Sequence, residues 1–173
     1  MAVNISPLCL ADRSFPDELA GMLEKRNLEP NRLILEITES VATGDPAYLL
    51  STISRLKLKG VHFSMDDFGT DQSSLERLYN LPYSEIKIDR SFVMDAMKFD
   101  RAAVIVRSVV AIGHGLGLKV VAEGIEDQHT LDWLIGLGCD LVQGFHLSPP
   151  LDEFGFSTWL EQWRQNQTMI QST

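Results

Sequence analysis

The chain has 173 residues, 45% apolar and 23% charged, which is one ordinary globular domain long enough to bury a core. Its formal net charge of -9 argues against a polymeric nucleic acid as partner, because such binding needs a basic surface. No apolar run reaches the length of a membrane span, and the first residues lack the basic-then-apolar layout of a secretory signal, so the expected setting is cytoplasmic with no membrane contact. Cys9 and Cys139 have neither metal-ligand nor disulfide spacing and read as two small buried side chains.

Ala2 to Ser6 reads as a short strand stopped by Pro7, and the next helical stretch covers Pro16 to Arg26. Leu33 to Thr38 is a second, largely apolar strand. Asp45-Pro46 is a helix start, a capping side chain followed by a proline at the first helical position, and Gly60 marks the end. Val61 to Asp66 is the third strand, followed by a short helix over Ser73 to Tyr79 that Leu81-Pro82 breaks. Glu85 to Asp89 is the fourth strand, Arg101 to Gly115 a longer helix, and Leu118 to Glu123 the fifth strand. Asp127 to Leu137 is helical, Asp140 to Gly144 is the sixth strand, and a final helix carries Phe154, Phe156, Trp159, Leu160 and Trp163. Domain organisation is therefore a single unit over 1–165 with a flexible tail over 166–173.

Strands that alternate with helices every ~20–35 residues imply a parallel α/β sheet. In such folds ligands sit at the C-terminal ends of the strands. Here each strand ends in a hard oxygen donor or a cation. The donors are Asn4, Glu36 with Glu39, Asp66 with Asp67, Lys87, Glu123 with Glu126, and Gln143. Carboxylates with an amide oxygen suit Mg²⁺ or Mn²⁺ better than Zn²⁺, since no His or Cys stands at these positions. Such ions work with phosphates, and Lys87 adds a positive charge for a phosphoryl group or water. Each residue also has a plainer reading. Asp66-Asp67 could cap a helix, Lys87 could be the partner of Asp66 or Glu123 in a salt bridge, Glu126 could cap the helix after it, and Arg90 could be a surface residue.

Read together, the segments Val3-Asn4-Ile5-Ser6, Leu35-Glu36-Ile37-Thr38-Glu39, Asp66-Asp67-Phe68-Gly69-Thr70, Lys87-Ile88-Asp89-Arg90-Ser91-Phe92, Ala122-Glu123-Gly124-Ile125-Glu126 and Gln143-Gly144-Phe145 stand in the order found in one family. The chain resembles the EAL-domain family, the cyclic di-GMP phosphodiesterases of bacterial signalling. The resemblance implies a TIM-type barrel that binds cyclic di-GMP and Mg²⁺ or Mn²⁺ ions and cuts the ligand to linear pGpG. Carried over by motif, Asn4, Glu36, Asp66 and Asp67 are metal ligands. Lys87 and Glu123 position or deprotonate the attacking water, Gln143 completes the surroundings of water and metal, and Glu39 braces the loop after the third strand.

Two departures shape the expectation. The Glu-Ala-Leu segment that names the family, whose Glu is a metal ligand, is absent. Only six of the eight strands of a barrel are recognisable, so the fold expected is an incomplete TIM-type barrel. Activity is then expected to be impaired, and the open barrel edges to be covered by a homodimer or swapped oligomer. In the loop after Asp67, Asp71-Gln72 replaces the family's Gly-Tyr. The alternative function is a non-catalytic cyclic di-GMP receptor or a protein-interaction module. A further reading is a fragment of a longer, active enzyme.

Overall fold

The computed structural model describes residues 1–38, 46–69 and 74–170. In chain order it runs β1 (Ala2–Asn4), α1 (Pro7–Leu10), α2 (Phe15–Lys25), β2 (Ile34–Thr38), α3 (Pro46–Leu58), β3 (His62–Phe68), α4 (Ser74–Asn80), β4 (Glu85–Ile88), α5 (Arg90–Ala96), α6 (Asp100–Gly115), β5 (Lys119–Glu123), α7 (Gln128–Gly136), β6 (Leu141–Gln143) and α8 (Glu153–Ile170). Every strand pairs in parallel with the next, in the order β1-β2-β3-β4-β5-β6. This is the expected incomplete TIM-type barrel. Among the described residues, β1 and β6 each pair on one side only. No described helix is long and apolar enough to cross a membrane.

Two short helices escape the sequence reading. Both begin at a polar cap placed directly after a strand. Ser6 accepts a hydrogen bond from the Leu8 amide with Pro7 in the first turn, which starts α1. Asp89, expected to end β4, accepts from the Ser91 amide at 3.0 Å and starts α5. Asp127 caps α7 in the same way, through the Thr130 amide at 2.8 Å. The cap expected at Asp45 lies outside the described residues.

The strands send their apolar side chains to one face. Alternation in β2 sends Leu33, Leu35 and Ile37 to the helix side. In β3 to β5 Val61, Phe63, Met65, Ile86, Ile88, Val120 and Ala122 follow, and all belong to one apolar core with α3, α6 and α7. Removing each of the larger of these side chains from water contributes roughly 1.5–3 kcal/mol. The opposite, concave face carries the alternate residues Glu36, Ser64, Asp66, Glu85 and Lys87, which are polar and yet buried. Buried polar groups are costly unless paired, so this face is where function is to be sought.

The tryptophans near the end of the chain, whose helical spacing predicts packing, divide into two groups. Trp133 packs against the core. Trp159 and Trp163 stack on each other with centroids 5.3 Å apart, Phe156 joins them at 6.1 Å, and the trio lies outside the core.

Asp140 ties the sheet to α6 at the end remote from the polar cluster. Its carboxylate accepts from the Val120 amide at 2.8 Å and faces His114 Nε2 at 2.9 Å. The Val120 hydrogen bond, then the His114 contact, hold its pKa below the usual carboxylate value. A depressed pKa contributes stability that is present above the unfolded-state value and is lost as pH falls through the folded one. Asp140→Ala is therefore expected to lower Tm at pH 7 by about 2–4 °C, the equivalent of roughly 1 kcal/mol for this size of chain. The gap should close on acidification below pH ~4. Thermal melts at several pH values check both halves.

Candidate metal and catalytic site

At the C-terminal ends of four strands, three carboxylates meet around one lysine nitrogen. Lys87 Nζ lies 3.1 Å from Glu36 Oε1, 2.9 Å from Asp66 Oδ1 and 2.6 Å from Glu123 Oε1. The register explains the meeting. Glu36 lies beside Ser64, two residues before Asp66, and Lys87 lies beside Val121, two residues before Glu123, so same-face polar positions on neighbouring strands are staggered within reach of one another. All four side chains are nearly out of solvent, Lys87 at 5% and Glu123, the most open, at 18%.

Burial by itself would strip the proton from Lys87. The Glu123 and Asp66 contacts, with Glu36 behind them, outweigh it and leave the pKa raised, so the ammonium stays charged. Glu123 is pushed upward by burial first, against the pull of Lys87, and the neighbouring Asp66 and Glu36 charges add to the rise. Three carboxylates face one ammonium, so the cluster holds more negative charge than its own cation cancels.

Adjacent strand residues point to opposite faces, so Asp66 and Asp67 should not share a site. A bulge resolves this. The β3–β4 register shifts between Met65 and Phe68, and Asp67 adopts φ +57. The extra residue returns Asp67 to the concave side, while Met65 and Phe68 both stay in the core. Ligand atoms of Asp66, Asp67 and Glu123 then lie within 4.8 Å of one another. Their odd spacing is the sequence signal for the bulge: buried apolar residues at 63, 65 and then 68 break a period of two.

The donor set fits a hard divalent cation. All three closest groups are carboxylates, and among the described residues the buried Asp66 Oδ1 has the Lys87 ammonium at 2.9 Å as its ion-pair contact, which leaves lone pairs for an ion. Asn4 stands beside Glu36 in the β1–β2 register, on the exposed first strand. Gln143 is exposed at the end of β6. Glu39 lies outside the described residues. The histidines take no part: His62 Nδ1 meets Ser84 Oγ at 3.0 Å and His146 Nε2 meets Gln128 Oε1 at 3.1 Å.

Arg90 is a surface residue, as expected, whereas Glu126 differs from the sequence reading. Glu126 does not cap α7, since Asp127 does; Glu126 pairs with Arg90 instead. Arg90 is thus bound to the loop that follows Glu123, and both line a cleft of about 420 Å³ with Glu123, Gln143 and Phe145. Nothing local in the sequence links residues 36 positions apart.

Comparison with known proteins gives this geometry a family. The EAL domain model matches residues 1–150. The bifunctional diguanylate cyclase/cyclic di-GMP phosphodiesterase MucR of Pseudomonas aeruginosa is 44% identical over 151 residues, 87% of this chain and 22% of that protein. A solved PaMucR phosphodiesterase–c-di-GMP complex superposes with a TM-score of 0.81 at 43% identity, covering 88% of this chain and 62% of that one. The manganese/cyclic di-GMP complex of BlrP1 from Klebsiella pneumoniae gives 0.80 at 31% identity, covering 86% and 38%. This chain thus spans about a fifth of the MucR length. It belongs to the EAL domain family.

Proposed function

We propose that this chain binds cyclic di-GMP at the concave strand ends and, with Mg²⁺ or Mn²⁺, hydrolyses one phosphodiester bond to give linear pGpG. The observation that carries the reading is the cluster itself: Glu36, Asp66 and Glu123 around Lys87, with Asp67 turned in by a bulge. Relatives named as cyclic di-GMP phosphodiesterases support it.

Asp66, Asp67 and Glu123 would hold the ion, with Glu36 and Asn4 on the neighbouring strands. When bound, such an ion acidifies water and offsets phosphodiester charge. Glu123, whose pKa burial raises, takes the proton from an attacking water. Lys87 keeps its own proton and sets a positive charge against the phosphoryl oxygens. Gln143, beside Glu123 in the β5–β6 register, orients the water.

Within these residues the donors serve one cation well, so turnover by this chain alone is slow. A second reading, a non-catalytic cyclic di-GMP receptor, needs only the cleft that Arg90, Gln143 and Phe145 line beside Glu123. The edges of β1 and β6, which among the described residues pair on one side only, suit a second copy of the chain, and light scattering that returned a monodisperse monomer would remove that part.

The expected result is saturable cyclic di-GMP binding by calorimetry in Mn²⁺, with pGpG in the recovered sample. Glu123→Gln is expected to lower turnover at least about 100-fold while leaving the fold intact, the scale of a lost general base. Binding without product, in wild type, would move the assignment to the receptor. No binding at all would sink both.

A further inference from the structure

We propose that Arg90 is a positioning residue, a clamp on the loop that leaves β5, and that it thereby sets where the Glu123 carboxylate points. The proposal rests on the reading of Glu123 as part of the metal and water site.

Glu123 is the last residue of β5, and the chain must turn at once. Gly124 makes the turn at φ +73, a conformation L side chains avoid. The Arg90 stem fills the space a side chain would take there: a Cβ on Gly124 would sit 2.1 Å from Arg90 Cγ and 2.7 Å from its Cβ. Beyond this contact the guanidinium pairs with Glu126, and Nε donates to Met94 Sδ at 3.1 Å. Arg90 therefore holds the loop twice, by packing on Gly124 and by charge on Glu126. Its own base is firm without these contacts, because Asp89 caps α5 through the Ser91 amide.

Arg90 and Glu126 are 52% and 44% exposed at the side chain. Ion pairs of that exposure add little to global stability. A pair that matters little for folding, yet lies three residues along the loop from the partly buried Glu123 carboxylate, is placed to control geometry. Arg90 also lines the cleft beside Glu123, Gly124 and Gln143, so loosening it opens the wall of the site itself.

The test uses Arg90→Ala, Arg90→Lys and Glu126→Gln in the whole chain. Hydrogen exchange in metal-free buffer reports the loop directly through the Ile125 amide, which is bonded to the Gln143 carbonyl at 3.2 Å. Arg90→Ala is expected to speed exchange over 123–128 about tenfold, leave β4 unchanged and move Tm by no more than about 2–4 °C. Its Mn²⁺ affinity, by calorimetry, is expected to fall about 10–100-fold, the scale seen when a group that orients a ligand is lost. Arg90→Lys keeps the stem and the charge and should recover most of that affinity, whereas Glu126→Gln should fall between. Exchange equal to wild type overturns the clamp. Faster exchange with unchanged Mn²⁺ affinity, or no rescue by Lys, shows a merely structural contact and overturns the positioning role. A wild type that binds no Mn²⁺ overturns the metal reading instead, and the exchange result still decides whether Arg90 holds the loop.

Discussion

Lys87→Met is expected to destabilise the metal-free protein by about 3–5 kcal/mol, the scale of removing one partner from a buried ionic group. The cause is what remains. Glu36, Asp66 and Glu123 all approach the Lys87 nitrogen within 3.1 Å, and without it they repel each other in a poorly solvated space. Folding then requires that carboxylates take up protons, so the variant should recover on acidification, which wild type should not. Mn²⁺ should restore stability more in the variant than in wild type, since the ion can replace the lost charge. An ion that binds only the folded state adds about 2.7 kcal/mol at a hundredfold excess over its Kd. Urea unfolding with and without Mn²⁺ measures both terms. Equal stability of variant and wild type in EDTA would show that the cluster is not held by Lys87. A Tm indifferent to Mn²⁺ in both would remove the cation from the site.

Gly144→Ala is the second large effect. A Cβ there would lie 2.1 Å from the Ile125 carbonyl oxygen and 2.3 Å from its nitrogen. Both atoms are backbone, so neither can rotate aside. Ile125 itself is fully buried and bonds to Gln143 through its amide and to His146 through its carbonyl, at 3.2 and 3.0 Å. The added methyl must push the β5 loop from the end of β6 and strain both bonds. Overpacking of this kind costs about 1–3 kcal/mol, and each hydrogen bond about 1 more. Because Ile125 follows Glu123 by two residues, Mn²⁺ affinity should fall with stability. Gly115→Ala is the control. Nothing lies within 4 Å of a Cβ at Gly115, the last residue of α6, and that variant should melt at or slightly above wild type. Calorimetric melts and Mn²⁺ titrations of the two variants side by side give the answer, and a Gly144→Ala protein as stable as wild type would mean the approach of β6 to Ile125 is slack.

The plan of the fold could be read from the chain because its signals are local. Apolar alternation in Leu35 and Ile37, or Ile86 and Ile88, marks a strand buried on one face whatever its neighbours are. Caps such as Asp127 mark helix starts within a few residues. Short elements escaped for the same reason. A seven-residue helix that starts directly after a strand, as at Arg90, offers too few residues for the helical period to show. The aromatic run on α8 has helical spacing, which suggests packing, yet spacing alone does not say whether a partner element lies opposite.

What the sequence determined by itself is which chemical groups stand at the strand ends, because a residue's place in its own strand depends only on the residues beside it. Tertiary structure alone decided which of those groups meet. The bulge that turns Asp67 inward depends on pairing with β4, and the Lys87 ammonium among three carboxylates depends on the stagger of four strands. The Arg90–Glu126 pair joins segments separated by a whole βα unit. Such meetings follow from inter-strand register, in which a shift of one residue reverses every side chain.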